Sequence, residues 1–403
     1  MPRARNVVML IAVALAAFYL GSLTEFQWGS FAPGWVQTLL LYHPPQRQLD
    51  LNLLSEEFRT IQQHYVNPNP DGLKLTEGAA AGMITGLNDR FSRFETKDQF
   101  NQSQSFLQGS FAGIGASVLQ QGTQIQIAGV LPNTPAERAG IKAGDVILTV
   151  DGVSAKGWTE DQAVQKIRGQ AGTHVVLGLQ RGTRTFQVDL VRETINVPSI
   201  GTHVFANQVL YIHVFDFGDR TSSEVDQALQ ANLKGSVNRI VLDLRGNPGG
   251  FVDAAVDVIS EFVPKGNAVV LVGRDGKQQP HPVTGSGRAF QNKVVLLVNA
   301  DTASAAEITA GALHDYGRAT ILGVKTFGKG SVQQDYLLNG GDDLHLTIAH
   351  WLTPKLHPID NIGITPDRTV ALAQPTDEYA VDQPNSDPSK DTQLQAALTL
   401  AES

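Results

Sequence analysis

The sequence predicts a mixed α/β chain of several domains, ordered as a helical N-terminal region, a β-rich module and an α/β core. Three observations carry this reading. The hydrophobic pattern changes twice: it has helical intervals over 49–100, short glycine-punctuated β runs over 106–192, and β-type runs alternating with helical stretches over 203–350. The 403 residues amount to between two and three domains, taking about 150 residues for each. A composition of 42% apolar and 17% charged residues suits packed cores and not wholesale disorder.

The elements follow in order. In residues 1–22, Arg3 and Arg5 precede an uncharged apolar run from Val7 to Leu20, the order of an export signal. The run is short for a membrane span of about 20 residues. Bulky Phe18, Tyr19 and Leu20 obscure a small-x-small cleavage site, so a cleaved signal peptide and a retained membrane anchor both stay open. The expected location is the periplasm or cell envelope, with anchoring to the inner membrane as an option. Residues 23–48, with Trp28, Pro33, Trp35, Pro44 and Pro45, read as a linker. Over 49–105, Leu53, Phe58, Ile61 and Tyr65 recur at helical spacing, and a second apolar stretch runs over 75–87. The turn Asn67-Pro68-Asn69-Pro70-Asp71-Gly72 separates them.

The module over 106–192 is expected to hold strands over 125–127, 173–179 and 185–191, with helices over 135–139 and 159–167. The core over 193–370 is expected to hold strands over 209–214, 239–244, 268–272, 294–298 and 320–322. Its helices are expected over 222–233, 251–262 and 304–316. Residues 371–403 read as a polar, proline-dotted loose tail followed by a short helix over 391–400.

Composition excludes several chemistries. The chain has no cysteine, which removes thiolate catalysis, Fe–S clusters, cysteinyl zinc sites and disulfides. The ten histidines form no His-Glu-x-x-His pair. A formal net charge of −8, with no basic run after residue 5, argues against nucleic-acid binding. Residues 323–329 nearly spell a phosphate-binding loop, but Gly330 stands where the magnesium-binding Ser or Thr belongs, and a strand follows instead of a helix.

Two stretches of the β-rich module are informative: Phe111-Ala112-Gly113-Ile114-Gly115-Ala116, and Gly140-Ile141-Lys142-Ala143-Gly144-Asp145-Val146-Ile147 with Val150-Asp151-Gly152. Together they resemble a PDZ domain. Backbone N–H groups at Gly113, Ile114 and Gly115 suit a terminal carboxylate, and the peptide behind it can add to a sheet edge. Arg168, at the end of a predicted helix, has two readings: an electrostatic cap, or a charge that reports peptide occupancy to the neighbouring domain.

In the core, Asp301-Thr302-Ala303-Ser304-Ala305-Ala306-Glu307 leads from a strand into a helix. Ser304 there is either a nucleophile beside free N–H donors or the cap of a capping box with Glu307. Lys329, Ser331 and Gln333 share one face of a strand. A neutral Lys329 could take the Ser304 proton, and bringing it from about 10.4 to about 7.5 costs roughly 4 kcal/mol, mostly by desolvation. Phe327 and the nearby glycines are expected to form the dry wall, and Gln333 to orient the amine without raising its pKa. The turn Asp243-Leu244-Arg245-Gly246-Asn247-Pro248-Gly249-Gly250 can aim one oxyanion donor, from Gly250 or Gly249, with Ala305 giving the other. Asp243 and Arg245 read as structural partners, and Lys325 as a solvated cation.

These segments, with Gly363-Ile364-Thr365-Pro366-Asp367 and the lead-in Gly86-Leu87-Asn88-Asp89-Arg90-Phe91-Ser92-Arg93-Phe94, resemble the carboxyl-terminal processing (tail-specific) protease family of serine–lysine endopeptidases over about residues 50–370. The resemblance implies a core with crotonase/ClpP-like layering. It implies Ser304 as nucleophile, Lys329 as general base, Gln333 as the residue orienting it, and a PDZ module that recognises C-terminal tails of polypeptide substrates. No metal or organic cofactor is implied, and oligomerisation is left open. The sequence departs from the family at Ala306, where many members carry a second serine, and at Lys355-Leu356-His357-Pro358, where a glycine-containing turn is usual. The rival reading is a PDZ-bearing envelope adaptor whose protease fold is catalytically silent.

Overall fold

The computed structural model describes residues 49–383 and 386–403. The predicted export segment and linker therefore lie outside the described residues. No described helix is long and apolar enough to cross a membrane. The chain divides into two compact units between Thr76 and Glu77. The first contains α1 (Leu51–His64), whose N-terminus is capped by Asp50 accepting from the Asn52 and Leu53 N–H groups at 3.0 and 3.2 Å. Helix α2 (Gly72–Thr85) begins there and continues into the second unit.

The second unit opens with β1 (Arg93–Glu95) and α3 (Lys97–Leu107), so the region over 49–105 is not wholly helical. The β-rich module follows: β2 (Ser110–Gly113), β3 (Ala116–Gln121), β4 (Gln124–Val130), α4 (Pro135–Arg138), β5 (Val146–Val150), β6 (Val153–Ser154), α5 (Glu160–Ile167), β7 (His174–Arg181), β8 (Arg184–Val191) and β9 (Glu193–Asn196). Its main sheet has the order β3-β4-β5-β7-β8 with β6 on β5, and β2 pairs separately with β9. Alternating residues of these strands, among them Ile125, Ile127, Leu177 and Leu179, bury against Ala163 and Ile167 of α5. Helix α5 starts at a full capping box formed by Thr159 and Gln162.

The α/β core comprises β10 (Ile200–Val204), β11 (Val209–Val214), α6 (Thr221–Asn232), β12 (Arg239–Asp243), α7 (Val252–Ser260), β13 (Asn267–Gly273), β14 (Gln278–Pro282), β15 (Lys293–Val298), α8 (Ala305–Asp315), β16 (Ala319–Gly323), β17 (Ser331–Leu337), β18 (Asp343–Leu352), β19 (Arg368–Thr369) and α9 (Thr392–Glu402). One sheet has the order β10-β11-β12-β15-β16-β19 and is parallel except at β10. Residues Leu210, Ile212, Leu242, Leu296 and Ile321 pack on one side with α6, α7 and α8. Residues Val209, Tyr211, Val241, Val295 and Leu297 pack on the other with α9. Both faces are covered, which is why β11 is buried along its whole length and reads as an apolar run interrupted only by His213. A second, antiparallel sheet has the order β1-β18-β13-β14, with β17 also on β18. It brings the lead-in segment and the strand after Lys329 to the same long strand.

The expected core strands and helices match to within a residue or two, but β10, β14, β18 and β19 have no counterpart among them. The region over 371–388 is not a loose tail. Tyr379 is buried against Tyr211 and Leu394, and its N–H donates to Asp391 at 2.9 Å. Helix α9 is part of the core, burying Leu394, Ala397, Leu398 and Ala401.

Candidate active site

Strand β15 leaves the sheet at Val298 and bends sharply before α8. The bend is pinned to the β12 turn: Thr302 Oγ1 donates to the Leu244 carbonyl at 2.8 Å, and the Ala303 N–H donates to the Asn247 carbonyl at 3.0 Å. Ser304 caps α8 with φ +56° and ψ −119°. A non-glycine residue held there carries about 1–3 kcal/mol of strain, and such strain collects at functional sites. Bends of this kind, between a strand and a helix, are where some hydrolases present a nucleophile.

The glycine turn after β12 fits against this serine. Gly249 has φ +103°, and a Cβ there would lie 2.7 Å from Ser304 Cβ and 3.0 Å from Ala305 N. The Gly249 N–H donates to Asn247 Oδ1 at 2.8 Å. The N–H groups of Gly250 and Ala305, in contrast, form no hydrogen bond among the described residues. Of the two glycines considered as a donor, only Gly250 therefore has a free N–H.

Asp243 and Arg245, just before this turn, are fully buried partners. Burial alone would raise the Asp243 pKa, but the Arg245 guanidinium holds it below the ordinary carboxyl value. Arg245 also reaches Asp391 at 2.9 Å and Gln393 at 3.0 Å, and Tyr211 donates to Asp243 at 2.7 Å. The network locks α9 to the strand that supports the glycine turn.

Glu307 has a second role that the capping-box reading missed. It is completely buried. One oxygen accepts from the Ser304 N–H at 3.0 Å and from the Lys329 N–H at 2.8 Å. The other accepts from Thr326 Oγ1 at 2.5 Å and the Gly328 N–H at 2.7 Å. A single carboxylate thus holds the backbones of Ser304 and Lys329 together. Trp351 Nε1 fixes the other side of Lys329 by donating to its carbonyl at 2.9 Å.

The Lys329 side chain is half-buried, and its Nζ lies 4.9 Å from the centre of the Phe91 ring. Burial lowers the amine pKa from its ordinary value of 10.5, Arg93 lowers it further, and Asp89 opposes them. Phe91 thus occupies the position expected of Phe327, which is exposed and lies under Arg90. Lys329 makes no hydrogen bond to Ser304 or to Gln333 here. The Gln333 amide donates instead to Ser331 Oγ at 2.9 Å and Thr347 Oγ1 at 3.0 Å, so it sits beside the lysine strand without touching the amine. A cleft of about 510 Å³ opens at Gln333, with Phe251, Leu271, Val332 and Ile348 as apolar wall and Asp253 and Asp257 as acidic wall.

Comparison with known proteins bears on this geometry. Residues 208–370 match Peptidase family S41, and residues 102–180 match the PDZ domain. A protein of Staphylococcus epidermidis named "Probable CtpA-like serine protease" is 34% identical over 343 residues, covering 83% of this chain and 70% of that protein. The chain belongs to peptidase family S41. A relative of the same name from Staphylococcus aureus is 37% identical over 325 residues, covering 80% of this chain and 65% of its own length. The solved structure of the photosystem II D1 C-terminal processing protease matches with a TM-score of 0.50 and 27% identity, over 87% of this chain and 97% of that one.

In this S41 chain the PDZ module carries its own groove. A cavity of about 920 Å³ lies between β3 and α5, bordered by Gly113, Ile114, Val118, Val164, Ile167 and Arg168, with Asp382 and Gln383 of the C-terminal region also on its rim. The Ile114 and Gly115 N–H groups form no hydrogen bond among the described residues. Gly115 has φ +76°, and a Cβ there would lie 2.3 Å from Thr134 Cβ, so only glycine fits. Arg168 follows α5, its N–H donates to the Val164 carbonyl at 2.9 Å, and its guanidinium stacks 5.1 Å from the Phe111 ring centre. At the departure from the usual S41 turn, Leu356 adopts φ +65°, the conformation glycine would take freely.

Proposed function

We propose that the chain is an exported serine endopeptidase that captures polypeptide C-terminal tails in its PDZ groove and cleaves peptide bonds with Ser304 and Lys329. The observation that carries the proposal is the left-handed Ser304 at the mouth of α8, packed by the Gly249 turn, with the N–H groups of Ala305 and of Gly250 in that turn uncommitted among the described residues. Ser304 Oγ attacks the peptide carbonyl while Lys329 Nζ takes its proton. The two N–H groups hold the oxyanion, each worth about 10²–10³ in rate. The lysine ammonium then protonates the leaving amine. Water, deprotonated by the same amine, hydrolyses the ester that remains on Ser304. No step requires a metal or organic cofactor.

The lowered Lys329 pKa supports the role of base, since only the neutral amine can accept a proton. For the reaction the amine must swing from Phe91 to Ser304, where Gln333 would orient it. In the PDZ groove, the Ile114 and Gly115 N–H groups would receive the terminal carboxylate of the substrate and the edge of β3 its last residues. Arg168, at the rim of that groove, is assigned to sensing the bound tail.

One observation favours the silent-adaptor alternative: Ser304 and Lys329 share no hydrogen bond. Incubation with β-casein separates the two readings. Wild-type chain should yield fragments, while Ser304→Ala and Lys329→Ala, shown to be folded by circular dichroism, should yield none. Fragments from either variant, or binding without fragments by wild type across mildly acidic to alkaline pH with PDZ ligands added, would overturn the endopeptidase reading.

A further inference from the structure

On the antiparallel sheet, one face carries a polar cluster that the proposed chemistry does not use. In register, Arg93 and Asp335 flank His345, and Glu95 lies opposite Asp343. The ligand atoms of Asp335, Asp343 and His345 all lie within 4.8 Å of one another. Helix α3 roofs the cluster: Ser103 donates to Glu95 at 2.8 Å and Gln104 to Asp335 at 2.9 Å. His345 Nδ1 lies 2.5 Å from Asp335 Oδ1.

Asp343 stands apart within this cluster. It is completely buried, and neither carboxylate oxygen has a hydrogen-bond partner among the described residues. A buried, unpartnered carboxylate is costly, and a fold retains one only when something compensates it. The charges nearby do not. Ionised Glu95, Asp335 and Asp343 face a single cation, Arg93, which is already paired with Glu95 at 2.8 Å. The cluster is left two negative charges in excess, which one divalent ion would cancel.

From this geometry we infer that Asp335, Asp343 and His345 form a binding site for a first-row divalent cation such as Zn²⁺, structural in role and separate from the peptidase chemistry. One imidazole with two carboxylates is a mixed nitrogen–oxygen set that suits such ions better than Mg²⁺ or Ca²⁺. Bonds of about 2.0–2.2 Å in a tetrahedral site place the donors roughly 3.4 Å apart. A pair at the 4.8 Å limit therefore needs to close by about 1.4 Å, while the Asp335–His345 pair opens. Water would complete the fourth position. No other group of three such side chains converges in this way among the described residues. A bound ion would tie β17 to β18 two residues beyond Gln333, and beside Arg93 of β1.

The test uses untagged full-length chain stripped with EDTA and then dialysed against Zn²⁺, with bound metal counted by mass spectrometry. Wild type should retain one equivalent and gain thermal stability as Zn²⁺ is added. Asp343→Asn and His345→Gln should each weaken binding by roughly 10–100-fold or more, taking the loss seen on disturbing even the surroundings of a metal site as the minimum. Co²⁺ should give visible absorption bands in wild type that both variants lose. If Asp343→Asn does not fold, Asp335→Asn, on a partly exposed side chain, should show the same loss. Absence of a tightly held equivalent in wild type, or equal binding by the variants through surface histidines, would overturn the site.

Discussion

Replacing Glu307 with glutamine keeps the length of the side chain and exchanges one acceptor oxygen for an amide NH₂ donor. Glu307 accepts four hydrogen bonds in a fully buried setting, three of them from backbone N–H groups. If the new NH₂ faces Ser304 and Lys329, two buried N–H donors lose their acceptor. At about 1–3 kcal/mol for each stranded donor, that orientation costs about 2–6 kcal/mol. If it faces Thr326 and Gly328, the Gly328 N–H is stranded at about 1–3 kcal/mol, while the Thr326 oxygen, which already accepts from the Ile364 N–H at 2.7 Å, takes the NH₂ on its remaining lone pair by swivelling its own proton away. The second orientation is cheaper and should be adopted. Denaturant unfolding should then show Glu307→Gln about 1–3 kcal/mol less stable than wild type. Because that orientation keeps the oxygen shared by Ser304 and Lys329 and frees only the adjacent Gly328 N–H, casein-peptide kcat should fall by about 10-fold with little change in KM, less than the about 10²-fold cost of misplacing reacting groups by about 1 Å. Glu307→Ala strands all three N–H donors and should lose soluble, folded protein. Wild-type stability together with wild-type kcat in Glu307→Gln would refute the strut.

Three further outcomes follow from the same geometry. Gly249→Ala forces a Cβ against Ser304 Cβ and Ala305 N, and should lower kcat by about 10²–10³, the loss expected for one oxyanion donor, with the PDZ module still binding peptide. Because Arg93 helps to lower the Lys329 pKa, Arg93→Gln should move the acid limb of the kcat/KM profile to higher pH. Between that lowered value and 10.5 the folded chain binds fewer protons than the unfolded one, so this group makes stability rise with pH across the window, and Arg93→Gln should narrow it. Gly115→Ala meets Thr134 at 2.3 Å, and should weaken binding of a free-carboxylate peptide toward that of its amidated form, as read by fluorescence anisotropy.

The parts of this architecture legible in the sequence are those whose burial is uniform or whose turns need glycine. Strand β11 is apolar but for His213 because helices cover both its faces, and Gly249-Gly250 marks a turn that packs on Ser304. Strand β18 escaped because it is only partly buried and carries Asp343, His345 and His350 among its apolar residues. The tail over 371–388 has the composition of a linker, yet one aromatic side chain, Tyr379, and the cap residue Asp391 fasten it. At the site, Ser304, Glu307 and Lys329 are each legible as residues, but that the Glu307 carboxylate joins the other two is not. Its capping role is local, whereas its bond to Lys329 spans 22 residues and exists only once α8 and the β17 lead-in are packed. Phe91 likewise comes from a strand lead-in far away in sequence, brought in by the pairing of β1 with β18.

An intact-protein mass measurement on chain quenched during turnover of an ester substrate, followed by peptide mapping, asks most directly whether Ser304 is acylated with Lys329 as its base. A covalent acyl adduct should appear on the peptide containing Ser304 in wild type, vanish in Ser304→Ala, and in Lys329→Ala form only slowly and faster with added primary amine. An adduct on any other residue, or peptide cleavage proceeding unchanged in Ser304→Ala, would contradict the account.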